Sequence, residues 1–390
     1  MLDDAVIVSA CRTPIGRFQG ALSALRAPEL GAIAVREALA RAGVAPDEVD
    51  QVALGNVLTA GVGQNPARQA SMLAGVPPEV PAFGVNEVCG SGLKAVALAA
   101  QAIRCGDAKI AVAGGQESMS NAPYLLPKAR GGFRLGDQAA VDSLIHDGLL
   151  DAYHGVHMGE TGEIVAERFG VTREDADRFA SESHARAAHA SECGAFAAEI
   201  VPVGLADGRT VERDEGIRPS STIEALARLK PAFREAGVVT AGNASQISDG
   251  ASALVIASAR EAERRRLPVL ARIVAHDDSA TRPEWVMEAP IASVRRMLER
   301  AHVALDEVEL FEHNEAFATA SCAVRKELGI PDDRFNVNGG AIALGHPIGA
   351  SGARVLTTLL HALRARRGRR GVATLCLGGG GAVSLLVEAL

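Results

Sequence analysis

The chain has 390 residues, is 48% hydrophobic and carries a net charge of −7, enough apolar content for a sizeable core divided over two or three domains. No apolar run reaches the roughly 18 residues of a membrane-spanning helix, and Met1-Leu2-Asp3-Asp4 lacks a basic segment followed by an apolar one, so a cytoplasmic protein with no membrane partner is expected. The acidic balance and the 3% aromatic content argue against nucleic-acid binding, and six cysteines scattered at 11, 89, 105, 193, 322 and 376 argue against both a disulfide framework and a metal site.

Ala5 to Ala10 reads as a short buried strand, Leu30 to Ala42 as a helix ending at Gly43, and Val52 to Leu54 as a second strand. In Val85-Asn86-Glu87-Val88-Cys89-Gly90-Ser91-Gly92-Leu93 the chain passes from loop to helix, because Leu93, Val96, Ala97, Ala100 and Ile103 recur at helical spacing. Cys89 therefore stands at a helix N-terminus, where free N–H groups and the helix dipole favour a thiolate and lower its pKa. Gly90 and Gly92 leave room for a substrate carbonyl to approach backbone donors. A lone cysteine of this kind is more often a small buried hydrophobe, so the chemical reading needs support from elsewhere in the chain. Lys109 to Ala113 is a further strand, stopping at Gly114-Gly115. Strands alternating with helices predict an α/β protein with a largely parallel sheet covered on both faces.

The sequence repeats itself. Val35 to Val49 matches Val294 to Val308 with ten of fifteen residues identical. At nearly the same offset Gly90-Ser91-Gly92-Leu93-Lys94 faces Ala350-Ser351-Gly352-Ala353-Arg354, and the strand before Gly114-Gly115 answers Val372 to Leu377 before Gly378-Gly379. Three matches in one order imply a duplicated α/β unit packed as pseudo-symmetric halves. Between the halves, from about Ser118 to Ser248, loops and amphipathic helices rich in Gly, Pro and charge read as an insert, with Lys128, Arg130 and Arg134 on a basic loop.

The least ordinary stretch is Asn336 to Gly352, which surrounds His346 with glycines in Gly-His-Pro. Thr374 to Gly381 follows as a buried strand whose Cys376 precedes four glycines, with neither phosphate-loop nor dinucleotide spacing. In Glu312-His313-Asn314-Glu315-Ala316-Phe317 a strand meets a helix, and Asn314 there has the ordinary alternative of a helix cap. Such strand and helix ends converge at the ligand face of α/β folds. Together these residues have a chemical logic. A nucleophilic Cys89 needs a base, which His346 supplies; Cys376 can move a proton next to a thioester; Asn314 and backbone N–H groups can hold oxyanions. Acyl transfer with carbon–carbon bond making or breaking is the predicted reaction. A cysteine-hydrolase triad of Cys89, His346 and Asn314 is the alternative from another class, though it leaves Cys376 idle, and a non-catalytic acyl-CoA carrier is a third reading.

The segments around Cys89, Gly-His-Pro and Cys376, with Asn314-Glu315-Ala316-Phe317, resemble the thiolase family of acetyl-CoA acetyltransferases and 3-ketoacyl-CoA thiolases, and the likeness runs from Val6 to the C-terminus. The resemblance implies a five-layered α/β/α/β/α fold, with residues 1–117 and 249–269 as the N-terminal half, 118–248 as an inserted loop domain and 270–390 as the C-terminal half. It implies that Cys89 takes the acyl group, that His346 takes the thiol proton and that Cys376 moves the α-proton. His346 and a water held by Asn314 then stabilise the enolate, and the N–H groups of Cys89 and Gly378 the acyl-transfer oxyanion. Acyl-CoA and CoA are the implied substrates, with no resident cofactor. His157, Met158, Arg218, Leu229, Ala241, Ser245 and Phe317 match the family's CoA pocket, and a homotetramer or homodimer is implied, with the loop near Arg130 as a contact between dimers. Asn314, where several long-chain members carry histidine, tilts toward short acyl chains. The chain departs from the family pattern at Val286 to Ser293, which is shorter and lacks glycine, and at Gly381-Ala382, where a larger residue followed by glycine is usual.

Overall fold

In the computed structural model, which describes residues 3–390, the two copies of the repeated segment fold alike. The first half runs β1 (Ala5–Arg12), α1 (Ala27–Ala42), a 3-10 turn at Pro46–Glu48, β2 (Gln51–Gly55), β3 (Ala82–Val85), α2 (Ser91–Cys105) and β4 (Ile110–Ser118). An insert carrying α3 (Met158–Phe169) and α4 (Arg173–Glu192) comes next, and β5 (Ser248–Ser258) then returns to the sheet. The second half runs β6 (Ala271–Ala280), α5 (Ala289–Arg300), a 3-10 turn at Leu305–Glu307, β7 (Leu310–His313), α6 (Ala318–Leu328), α7 (Ile348–Arg366), β8 (Arg370–Leu377) and β9 (Gly381–Ala389). Local chemistry sets the boundaries. In α1, Pro28 and Glu29 occupy the first turn, and Gly43 ends the helix at φ 65° with its N–H donated to the carbonyls of Leu39 and Ala40.

The expectation of a largely parallel sheet is corrected. The strands lie in the order β7-β8-β9-β6-β1-β5-β4-β2-β3, and only β7–β8, β2–β3 and β2–β4 are parallel pairs. β8 turns straight back into β9 through Gly378 to Gly380, and so short a connection permits only an antiparallel pair. The pairing pattern is the same in both halves: β2 parallel to β4 and then β5 and β1 antiparallel, against β7 parallel to β8 and then β9 and β6 antiparallel. Only Val6–Arg272 and Ile7–Ala271 join the halves across β1 and β6.

This gives five layers. α2 and α7 pack on each other between the two half-sheets, α1 covers the outer face of the first and α5 that of the second. The apolar residues sort accordingly: Leu93, Val96, Leu356 and Leu359 meet the inner strand faces, Val35 and Leu39 sit in the first outer cluster, and Val294 and Met297 in the second. A Cβ on Gly92 would come within 2.8 Å of Ala353 N, and one on Gly352 would run into Leu93 N, so the central helices cross backbone to backbone. Gly90 is filled in the same way by Leu377 and Val383. These glycines admit the partner helix and strand rather than a substrate, which corrects the first reading of Gly-Ser-Gly. Gly114 and Gly115 likewise do not end their strand, which continues to Ser118; a Cβ on Gly115 would lie 2.8 Å from Ala350 Cα, where α7 begins. Gly352→Ala is therefore expected to destabilise the chain by about 2 kcal/mol or more despite alanine's better helix propensity, because overpacking outweighs it. Thermal denaturation checks this: an unchanged or higher midpoint would show that the crossing has slack.

No helix among the described residues is long and apolar enough to cross a membrane. The layering brings the ends of β7 and β8 and the starts of α2 and α7 to one face, and the chemistry-bearing residues lie there.

Candidate active site

Cys89 is presented by a tight turn. Val88 adopts φ 48°, an unfavourable conformation for a β-branched residue, and the turn is pinned by Ser91, whose hydroxyl donates to the Val88 carbonyl (2.6 Å) and accepts from Glu87 N–H (2.9 Å). The loop before α7 is pinned from the other side by Glu315. Its carboxylate accepts from Asn336 Nδ2 (2.8 Å), Ser183 Oγ (2.7 Å) and Ile342 N–H (3.2 Å), and Ser183 Oγ in turn accepts from Gly340 N–H (3.0 Å). His346 leaves this loop with its N–H donated to the Gln246 carbonyl. Glu117, at the end of β4, ties the segment after β2 to the start of α7: it accepts from Val57 and Leu58 N–H and from Gly349 N–H (2.9 Å). Burial pushes its carboxyl up to about 7.

The result is a relay. His346 Nε2 lies 3.3 Å from Cys89 Sγ, and His346 Nδ1 lies 2.5 Å from Ser351 Oγ, whose hydroxyl also reaches the Pro347 carbonyl (2.9 Å). With the hydroxyl proton on Pro347, Nδ1–H donates to Ser351 and Nε2 is free to accept the thiol proton. Asn314 Nδ2 stands 3.4 Å from the same Nε2, so the amide reaches the group through the imidazole. Cys376 Sγ faces Met287 Sδ at 3.6 Å. The N–H groups of Gly378 and of Cys89 itself point at Cys89 Sγ. Cys89, His346, Cys376 and Gly378 line one cavity of about 210 Å³, walled largely by apolar side chains such as Leu149, Met158, Val286 and Met287.

Electrostatics correct the expectation of a resting thiolate. Burial pushes the Cys89 thiol up to about 12, outweighing the two N–H donors, and burial also brings the His346 imidazole down to about 3. Cys376 is raised as well, by burial and then by the nearness of Cys89. The resting pair is a neutral S–H facing a neutral imidazole.

The thiolase N-terminal domain matches residues 5–260 and the thiolase C-terminal domain residues 267–389. The chain is 53% identical over 388 residues to an acetyl-CoA acetyltransferase of Pseudomonas aeruginosa, covering 98% of this chain and 99% of that protein. It is 51% identical to one of Escherichia coli K12, with both chains fully covered. The crystal structure of the Bacillus anthracis acetyl-CoA acetyltransferase superimposes with a TM-score of 0.98 at 41% identity, covering 100% of this chain and 99% of that one. The chain belongs to the thiolase family.

In this thiolase four of the seven residues matched to a CoA pocket, His157, Met158, Ser245 and Phe317, line the cavity, whereas Arg218, Leu229 and Ala241 do not. Arg218 is exposed and donates to Gln246 Oε1 (3.0 Å), a cavity residue, while Leu229 packs against Gly242, next to Ala241. His157 caps α3, its Nδ1 accepting from Gly159 N–H (3.1 Å), and stacks on Phe233 with ring centroids 4.8 Å apart. Phe233, Gln246, Glu117 and Ser351 also take part in the site, none of them singled out by the sequence, and Met287 lies in the cavity wall within the Val286 to Ser293 segment that departs from the family pattern. A glutamate buried in the strand Gly114-Gly115-Gln116-Glu117 was a usable signal for Glu117, since an isolated buried carboxyl needs donors. Phe233 gave no comparable signal.

Proposed function

We propose that the chain is an acetyl-CoA acetyltransferase, joining two acetyl-CoA into acetoacetyl-CoA and CoA and running the reverse thiolysis through an acetyl-Cys89 thioester. The observation that carries this reading is that two thiols, one imidazole and two converging N–H donors share a single small cavity. Cys89 attacks the acetyl carbonyl as its proton passes to His346 Nε2, the oxyanion sits against the N–H groups of Cys89 and Gly378, and the departing CoA sulfur takes the proton back. Each such donor is worth about 3 kcal/mol to the transition state. Cys376 then removes the α-proton of the second acetyl-CoA. The enolate oxygen is held by His346 in its other neutral tautomer, with Nε2–H donated to the enolate, Ser351 Oγ–H donated to Nδ1 and Asn314 behind it. The carbanion attacks the thioester, so that Cys89 leaves with the proton that Cys376 took up. A hydrolase built on Cys89 and His346 has no use for the second thiol.

His157, Met158, Ser245 and Phe317 are proposed to hold the pantetheine arm, with Arg218, Leu229 and Ala241 toward the nucleotide end. Val286 and Met287 are proposed to limit acyl length. The division at 118–248, a cytoplasmic location, CoA thioesters without a resident cofactor, and a homodimer or homotetramer complete the proposal. Exposed Leu126, Phe133 and Leu135, beside Lys128 and Arg130, support an oligomer contact on the insert.

Incubation with acetyl-CoA and mass spectrometry of the peptide bearing Cys89 tests the reading, with one acetyl group expected there. A chain with no acetyl on Cys89 is a carrier or something else. A length series of 3-ketoacyl-CoA substrates should show kcat/KM highest for acetoacetyl-CoA and falling about tenfold or more by the six-carbon substrate, as expected where added methylenes meet a filled wall. A rise with length would instead make the chain a broad 3-ketoacyl-CoA thiolase.

A further inference from the structure

The proposed acyl wall is carried by a short irregular segment, the 3-10 turn Pro283–Glu288, which runs between β6 and α5. The segment is kinked at Trp285 (φ −101°, ψ 16°), and the next two residues, Val286 and Met287, are buried, with Met287 Sδ 3.6 Å from Cys376 Sγ. Hydrogen bonds inside a 3-10 turn have poor geometry, so the place of this wall depends on what holds the segment from outside. Upstream the hold is backbone: Thr281 N–H donates to the Gly380 carbonyl (2.7 Å), in the turn that also presents Gly378.

Downstream the hold is a side chain. Arg168, in the last turn of α3, donates from Nε to Glu288 Oε2 (2.7 Å) and from Nη2 to Glu288 Oε1 (3.1 Å), and its guanidinium carbon lies 4.0 Å from the centre of the Trp285 ring. One cation thus grips Trp285 ahead of Met287 and Glu288 directly after it. Arg282 brings a second guanidinium to 5.1 Å from the same ring and is itself tied to Glu284 (3.1 Å). Glu288 stands at the N-cap of α5, where a carboxylate ordinarily serves its own helix, yet its side chain makes no cap bond and is turned to Arg168 instead. The other end of α3 is Met158, on the cavity, so one helix reaches from the proposed pantetheine contacts to the outside of the acyl wall.

We propose that Arg168 and Glu288 are positioning residues for substrate specificity: their two-point pair, stacked on Trp285, locks the wall of Val286 and Met287 and so restricts the enzyme to short acyl chains. The inference rests on the reading that Val286 and Met287 limit acyl length. Neither Arg168 nor Glu288 lines the cavity, so both act through the segment between them. An acyl chain longer than acetoacetyl must push the wall outward, and that movement has to break the fork on Glu288 and the stacking on Trp285 together. Val286 and Met287 also pack in the second outer cluster, so removing the clamp loosens the wall without emptying it.

The test compares kcat/KM for thiolysis of acetoacetyl-CoA and of 3-ketohexanoyl-CoA in the full-length enzyme. Arg168 is exposed and Glu288→Gln keeps the side-chain volume, so both sites accept substitution without repacking the core. Arg168→Met and Glu288→Gln should each leave the four-carbon value within about twofold and raise the six-carbon to four-carbon ratio about three- to tenfold, as expected for a bidentate pair with a cation–π contact. The double variant should show no more than the larger single effect, because the same interaction is lost in all three. Met287→Ala, which truncates the wall itself, should raise the ratio further. Single variants with the wild-type ratio beside a relaxed Met287→Ala would overturn the clamp and leave the wall standing, whereas an unchanged ratio in Met287→Ala would overturn the wall and the clamp with it. Equal losses on both substrates, or additive effects in the double variant, would mean two independent surface contacts and would likewise overturn the proposal.

Discussion

A Cys376→Ala enzyme is expected to acquire one acetyl group on Cys89 from acetyl-CoA, as the wild type does, yet to form or cleave acetoacetyl-CoA about a thousandfold more slowly. The split follows from where the two sulfurs stand. Cys89 has its own base in His346 at 3.3 Å and its own oxyanion donors, so nothing in the first half-reaction needs Cys376. The second half-reaction needs a base at the α-carbon, and a positioned base contributes about a hundredfold to ten-thousandfold. The thiol of Cys376 is held up by burial and then by Cys89. Cys89 rests as a neutral thiol and adds no charge of its own at neutral pH, so what opposes a Cys376 thiolate there is burial. Stoichiometric acetylation by mass, set beside steady-state condensation, measures the split. A normal condensation rate would remove Cys376 from the mechanism, and loss of acetylation as well would mean that the alanine had disturbed Cys89 itself.

The repeat made the two matching halves legible, because ten identical residues in the stretches from Val35 and Val294 mark the same helix and turn in both halves, while the five layers were implied by the family resemblance. Cys89, His346 and Cys376 were legible because each interrupts a glycine-rich junction where an apolar element begins or ends. What escaped was whatever depends on a neighbour from far along the chain. Gly92 looks like room for a substrate until α7 brings Gly352 and Ala353 against it, and Gly115 looks like a strand end until the start of α7 is seen resting on it. The strand directions escaped for the same reason: β1 finds β5 and β6 from opposite ends of the insert, and no local pattern encodes that. The protonation state of Cys89 was misread because a helix start is visible in sequence whereas depth of burial is not, and here burial wins.

His346→Ala should be the most damaging single change after loss of Cys89 itself. Without the imidazole, the thiol at about 12 has no acceptor for its proton, and the enolate loses a donor. The base accounts for about a thousandfold in acetylation, and the lost donor for about a hundredfold more in condensation. The pH dependence distinguishes this from general damage. With no general base, acetylation must proceed through thiolate formed by loss of its proton to solvent, so the mutant rate should climb about tenfold per pH unit between about pH 7 and 9, where the wild type stays flat. Stability moves the opposite way at acid pH. In the folded wild type His346 takes up a proton only at about 3, while in the unfolded chain it does so near its ordinary value, so the unfolded state binds more protons between those points. Stability contributed by keeping His346 neutral is therefore present above about pH 6.5 and lost as the pH falls, and His346→Ala should lose less of its thermal midpoint between about pH 7 and 5 than the wild type does. Rapid-quench acetylation across pH, with thermal melts at the same pH values, reads both effects. A mutant whose acetylation rate is flat with pH would mean that the imidazole is not the acceptor of the Cys89 proton, whatever the size of the rate loss.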